Sequence, residues 1–160
     1  MDNLIDSRYF HGLIELPNLN IQADFESPSG DEVTTKSNAI DMAITEYQHE
    51  LLIKLFGSEV VPKQVESIIV REQILKSPIA YYVFCKLIHE YQSQSTISGE
   101  KVHGATDSTS VSYQEKYFTV WNRLVKSCIK MRKVLYDAGL HSTYPTFDDE
   151  DIYEYKSFLL

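Results

Sequence analysis

The sequence predicts a mainly α-helical fold: a four-helix bundle with a small β-hairpin excursion and extended N- and C-terminal arms. Three observations predict it. Apolar residues recur at three- and four-residue steps through long segments, Gly and Pro fall between those segments, and only one short stretch suits a hairpin. A chain of 160 residues fits one domain, and a compact fold of that size buries roughly 70% of the surface its unfolded chain exposes.

Residues Leu4 to Leu16 read as a short helix or extended segment opened by Asp6 or Ser7, with Gly12 arguing against an uninterrupted helix. Pro17 to Lys36 is rich in Pro, Gly, Ser, Thr, Asn and Asp and reads as a long loop or arm. A helix is predicted from an N-cap at Ser37 to a C′ glycine at Gly57, with Ile40, Ala43, Ile44, Tyr47, Leu51, Leu52, Leu55 and Phe56 on one stripe. A second helix is expected over Lys63 to Leu75, closed by Lys76-Ser77-Pro78. Pro78 suits the first turn of a third helix that runs to about Gln92. Apolar nearly all round, that helix belongs at the centre.

Between Ser93 and Ser112 the chain turns to Ser, Thr and Gly, and Ile97 to Val102 flanks a Ser-Gly turn with apolar residues, which fits a hairpin. A fourth helix is predicted from about Ser112 to Ala138, stopped by Gly139, with Tyr113, Tyr117, Val120, Trp121, Leu124, Cys128, Met131 and Leu135 buried. The organisation is therefore an N-terminal segment and loop over 1–36, a helical bundle over 37–139 with the hairpin inserted near 93–111, and an aromatic, acidic tail over 140–160. Asp148 and the acids after it could start a short helix there.

Charge narrows the function classes. The net charge of -8 argues against a protein that coats nucleic acid, which needs a surplus of cations. The sign alternates in blocks, however. Asp24, Glu26, Asp31, Glu32, Asp41, Glu46, Glu50 and Glu59 face only Lys36 and Lys54 before Val60. Lys116, Arg123, Lys126, Lys130, Arg132 and Lys133 then face only Glu115, and Asp148, Asp149, Glu150, Asp151 and Glu154 crowd the tail. Such blocks can neutralise each other within one chain or between copies. No apolar run reaches the ~18 residues of a membrane span, and the first residues lack the basic region of a secretory signal, so the chain is expected to stay where it is made. Cys85 and Cys128 sit inside apolar helical patterns and read as buried free thiols.

The chain offers little that looks like chemistry. His49-Glu50 and His89-Glu90 lack the second histidine of a zinc-protease helix, with Ile53 and Ser93 at the required positions. The glycines make no phosphate-cradling loop, and no nucleophile elbow is present. Glu46 and Glu50 read as a solvated stripe on an exposed helix face. No catalytic residue, cofactor or metal is expected. Arg123, Lys126, Lys130 and Lys133 fall at steps of three, four and three with Arg132 beside them. They form either a plain solvated face that favours the helix dipole or a positive patch for acidic tails of adjacent subunits or for passing DNA.

Four segments resemble the head-tail connector proteins of tailed bacteriophages, the adaptor or head-completion proteins of the neck. They are Ile44-Thr-Glu-Tyr-Gln-His-Glu-Leu-Leu-Ile-Lys-Leu-Phe-Gly57, Ser77-Pro-Ile-Ala-Tyr-Tyr-Val-Phe-Cys-Lys-Leu-Ile88, Ser98-Gly-Glu-Lys-Val102 and Tyr117-Phe-Thr-Val-Trp-Asn-Arg-Leu-Val125. The resemblance spans Ser37 to Phe158, although the first loop is longer and the acidic end more pronounced than in such connectors. It implies a connector-type bundle repeated as a dodecameric ring at the virion neck, made in the host cytoplasm. There it would bind the portal protein and the tail or a further neck protein, and double-stranded DNA would pass through its lumen. It further implies that Tyr144, Pro145, Phe147, Tyr153, Tyr155 and Phe158 dock on the portal or a neighbour, that Ile97, Lys101 and Val102 contact the next ring, and that Arg123, Lys126, Lys130, Arg132 and Lys133 line an interface or the lumen. The alternative is a small adaptor that binds one partner through a helical groove.

Overall fold

The computed structural model describes residues 3–15, 32–92, 95–96, 99–100 and 113–144, and in these the chain is mainly helical. Helix α1 spans Glu32–Phe56, α2 Glu66–Ile69, α3 Pro78–Gln92 and α4 Tyr113–Asp137. Short 3-10 turns lie at Ser7–Tyr9, Gly12–Ile14 and Glu72–Ile74. Ser95–Thr96 (β1) pairs antiparallel with Gly99–Glu100 (β2), Ser95 opposite Glu100. Two residues a side is too short a ladder to establish the expected hairpin, and most of 93–111 lies outside the described residues.

Helix α3 is the centre. Ile79, Ala80, Tyr81, Tyr82, Val83, Phe84, Cys85, Leu87 and Ile88 are all buried, as its nearly unbroken apolar run requires. Helices α1 and α4 each pack along α3 with no comparable contact to each other, so α3 lies between them. From α1 come Ile44, Leu51, Leu52, Leu55 and Phe56; from α4 come Val120, Leu124, Cys128, Met131 and Leu135. Both cysteines are free and buried, as expected.

The helix ends follow their capping residues. Ser77 is itself buried, and its hydroxyl accepts from the Ile79 amide (3.0 Å), so it caps α3 with Pro78 at the first helical position. Gly57 (φ +67°) ends α1, its amide bonded to the Ile53 carbonyl at 2.8 Å. Gly139 (φ +71°) ends α4: its amide reaches Tyr136 O (2.9 Å), and the Leu140 amide reaches Leu135 O (2.9 Å), which satisfies two carbonyls the helix would leave open.

Three elements differ from expectation. Helix α1 starts at Glu32, so Ser37 lies within it rather than at its cap. No Gly or Pro stands between Glu32 and Phe56, and extending an existing helix needs no new nucleus. The second helix shrinks to the single turn of α2. Its β-branched end, Ile68-Ile69, runs on into extended Val70, and Arg71 and Lys76 exchange backbone hydrogen bonds (3.1 and 3.3 Å) that close a loop with Leu75 left-handed at φ +47°. The fold therefore rests on three long helices, and the N-terminal segment supplies further wall. Asp6 caps its first turn through the Arg8 amide, and Ile5, Tyr9, Phe10 and Ile14 all enter the core. Buried Gln48 fixes it to α1, its Oε1 accepting from the Leu4 amide at 2.8 Å.

Candidate assembly interface

One polar cluster sits against the core. Lys86 interrupts the apolar run of α3, and a cation there must find an anion or be left partly desolvated without one. It donates to Glu50 Oε1 of α1 at 2.9 Å, and the Tyr82 hydroxyl donates to the same oxygen at 2.8 Å. Lys86 Nζ also lies 5.5 Å from the Tyr47 ring centroid and 5.4 Å from that of Tyr82. Burial raises the Glu50 pKa, but the bonds from Lys86 and Tyr82 outweigh it and hold the group below its ordinary value of 4.5. Burial, then the adjacent carboxylate, push the Tyr82 phenol well above its usual range. Glu50 is thus half-buried and engaged, not part of a solvated stripe; the lone Lys86 within Cys85-Lys86-Leu87 was the signal that could have found its partner.

On its other side α4 presents a different surface. Arg123, Lys126, Lys130, Arg132 and Lys133 are all exposed. Among the described residues, none of Arg123, Lys126, Lys130 and Lys133 is in an ion pair with an acid. Beside these cations Ile129 is 55% and Tyr136 67% exposed, and Phe118 is partly exposed as well. Val125 is buried, but outside the core cluster. Phe118, Val125, Ile129 and Tyr136 follow one another at steps of seven, four and seven, so α4 carries a second apolar stripe next to its basic one. Trp121, expected within the buried stripe, is only half-buried, stacked on Tyr117 (6.0 Å, 12°) and near Tyr82 (6.5 Å).

Of the six tail residues expected to dock, only Tyr144 is described. It is half-buried and packs edge-on against Phe56 at the end of α1 (5.9 Å, 78°), so its ring serves the fold. Pro145, Phe147, Tyr153, Tyr155 and Phe158 lie outside the described residues, as do Ile97, Lys101 and Val102.

A cleft of about 330 Å³ opens between the N-terminal segment and α1, lined by Asn3, Thr45, Glu46, Gln48, His49 and Glu59. His49 Nδ1 lies 2.7 Å from Glu59 Oε1. Among the described residues no group of three or more His, Cys, Asp or Glu is placed to hold a metal ion, and no helix is long and apolar enough to cross a membrane. No family model matches the chain, and no curated protein or solved structure is detectably similar to it.

Proposed function

We propose that this chain is a structural assembly protein, and specifically a ring subunit at the neck of a tailed bacteriophage that joins the portal to the tail or the next neck protein and extends the DNA channel. The observation that carries the assembly reading is the outer face of α4. A helix whose opposite face already serves the core keeps Ile129 and Tyr136 largely in water beside five exposed cations. Exposed apolar residues set in a charged rim have the composition of a contact surface. The neck form of the reading is supported by the four sequence segments that resemble head-tail connectors. It brings with it a connector-type four-helix bundle, a hairpin at Ile97–Val102 directed at the next ring, a docking tail, and residence in the virion.

The test is co-assembly. The purified chain, mixed with a candidate portal and measured by light scattering and negative-stain imaging, is expected to form rings seated on the portal. A variant that stops after Tyr144 is expected to keep its helical circular dichroism while losing incorporation into particles. A truncated chain that incorporates normally removes the tail from the docking role. Absence of the full chain from particles overturns the neck reading itself.

A further inference from the structure

We infer that copies of this chain associate head to tail, the outer face of α4 on one copy seating against the outer face of α1 on the next. The inference rests on the ring reading above for its closed geometry and deepens it by naming the two faces.

Helix α1 carries an outward stripe of its own. Met42, Glu46, His49 and Ile53 follow at steps of four, three and four, which at ~100° per residue confines them to an arc of roughly 60°. All four are exposed, Met42 at 74% and Ile53 at 39%. Glu59 adds an acid at the end of this stripe through its contact with His49, and Val60 beside it is 73% exposed. The stripe sets apolar Met42 and Ile53 around polar Glu46 and His49, and its acids are Glu46 within it and Glu59 at its end. On α4 the corresponding stripe is apolar with a basic margin: Ile129 and Tyr136 beside Arg123, Lys126, Lys130 and Lys133.

These complementary faces cannot meet within one molecule. Helix α3 lies between α1 and α4, and each of those helices uses its inner face on the shared core, so the outer faces point away from each other. Only another copy can bring them together. An α4-to-α4 contact would set cations against cations, which disfavours a symmetric pair. A contact between two different patches is heterologous, and it closes into a ring when the rotation between neighbours allows. Duplex DNA is the other polyanion the basic stripe would suit. The exposed Ile129 and Tyr136 favour a protein partner, since they gain nothing from a phosphate backbone, and so does the net charge of -8. One helix-on-helix seam is small beside a standard interface, so the isolated pair is weak and sensitive to salt, and gains strength when many seams close together.

Site-directed cross-linking of the full chain tests this. Cys85 and Cys128 are buried, with thiols pushed up to about 12 by burial, so they compete little with surface cysteines. Met42→Cys and Ile129→Cys chains, each checked for native circular dichroism, are mixed and mildly oxidised at low salt. The mixed 42–129 disulfide is expected to form roughly tenfold faster than either homodimer, and a chain carrying both substitutions is expected to give a ladder of oligomers. Adding Lys126→Glu and Lys133→Glu to the Ile129→Cys chain should bring the mixed rate down to the homodimer rate, and Glu46→Lys on the Met42→Cys chain should restore it. Equal mixed and homodimer rates, or rates indifferent to the charge exchange, overturn the pairing. So does a result in which the reversed-charge chain loses binding to a duplex DNA fragment while its cross-linking is unchanged, which would assign the face to DNA. Because this readout uses the chain alone, its failure is separable from failure to enter particles, which judges the neck reading.

Discussion

Lys86 on α3 and Lys130 on α4 are the same residue on neighbouring helices, and they do opposite things. Lys86 is held by Glu50 and flanked by the rings of Tyr47 and Tyr82. Lys130 stands in water among other cations and meets no acid among the described residues. The inner cation belongs to the architecture, because partial burial makes an unmatched charge costly. The outer cations answer to no such demand, and their clustering beside Ile129 and Tyr136 is the feature on which the proposed contact rests. The two regions should accordingly respond differently to substitution.

Phe84→Ala probes the centre most severely. Its ring is fully buried with Lys116 Nζ 5.1 Å from its centroid, and the loss should reach about 3–5 kcal/mol in urea unfolding. Glu50→Gln tests the inner cation. It removes a charged partner from Lys86 and should cost about 1–2 kcal/mol near pH 7, less than a fully buried pair because both side chains are about one-third exposed. Its pH dependence has a definite sign. The folded-state pKa of Glu50 is held below 4.5, so its contribution is present above the ordinary carboxylate range and fades as pH falls through the folded value. The gap between wild type and variant should therefore narrow from pH 7 to pH 3 in a series of urea midpoints; a constant gap would show that Glu50 acts through packing alone.

Gly139→Ala should cost about 1 kcal/mol in thermal unfolding, because φ +71° strains any residue with a Cβ although nothing lies near enough to clash. The smallest effect is expected from Lys130→Ala, within about 0.5 kcal/mol in the same assay. A larger loss there would mean that the outer cations serve the fold after all, and the contrast with Lys86 would collapse.

The sequence made the long helices legible where its signals were local. Pro78 and Gly139 bound α3 and α4 to within a residue, and Gly57 ends α1. The failures lie where contacts other than the apolar spacing decide. The spacing of Val65, Ile68 and Ile69 suits a helix, yet the exchange between Arg71 and Lys76 closes the chain into a loop after one turn. The role of residues 3–15 depends on Gln48 and on the shared core that Tyr9 and Phe10 join, which no local pattern announces. For the candidate interface, spacing alone placed the cations on one stripe, but their exposure and the parallel stripe through Ile129 and Tyr136 emerge only once the opposite face of α4 is seen to be occupied.

The edge-on contact of Tyr144 with Phe56 sets a mooring point. It ties the turn that follows α4 to the C-terminal end of α1, two elements that otherwise meet only through α3, so the flanking helices are braced to each other at that end and Tyr144→Ala would leave each held by the central helix alone.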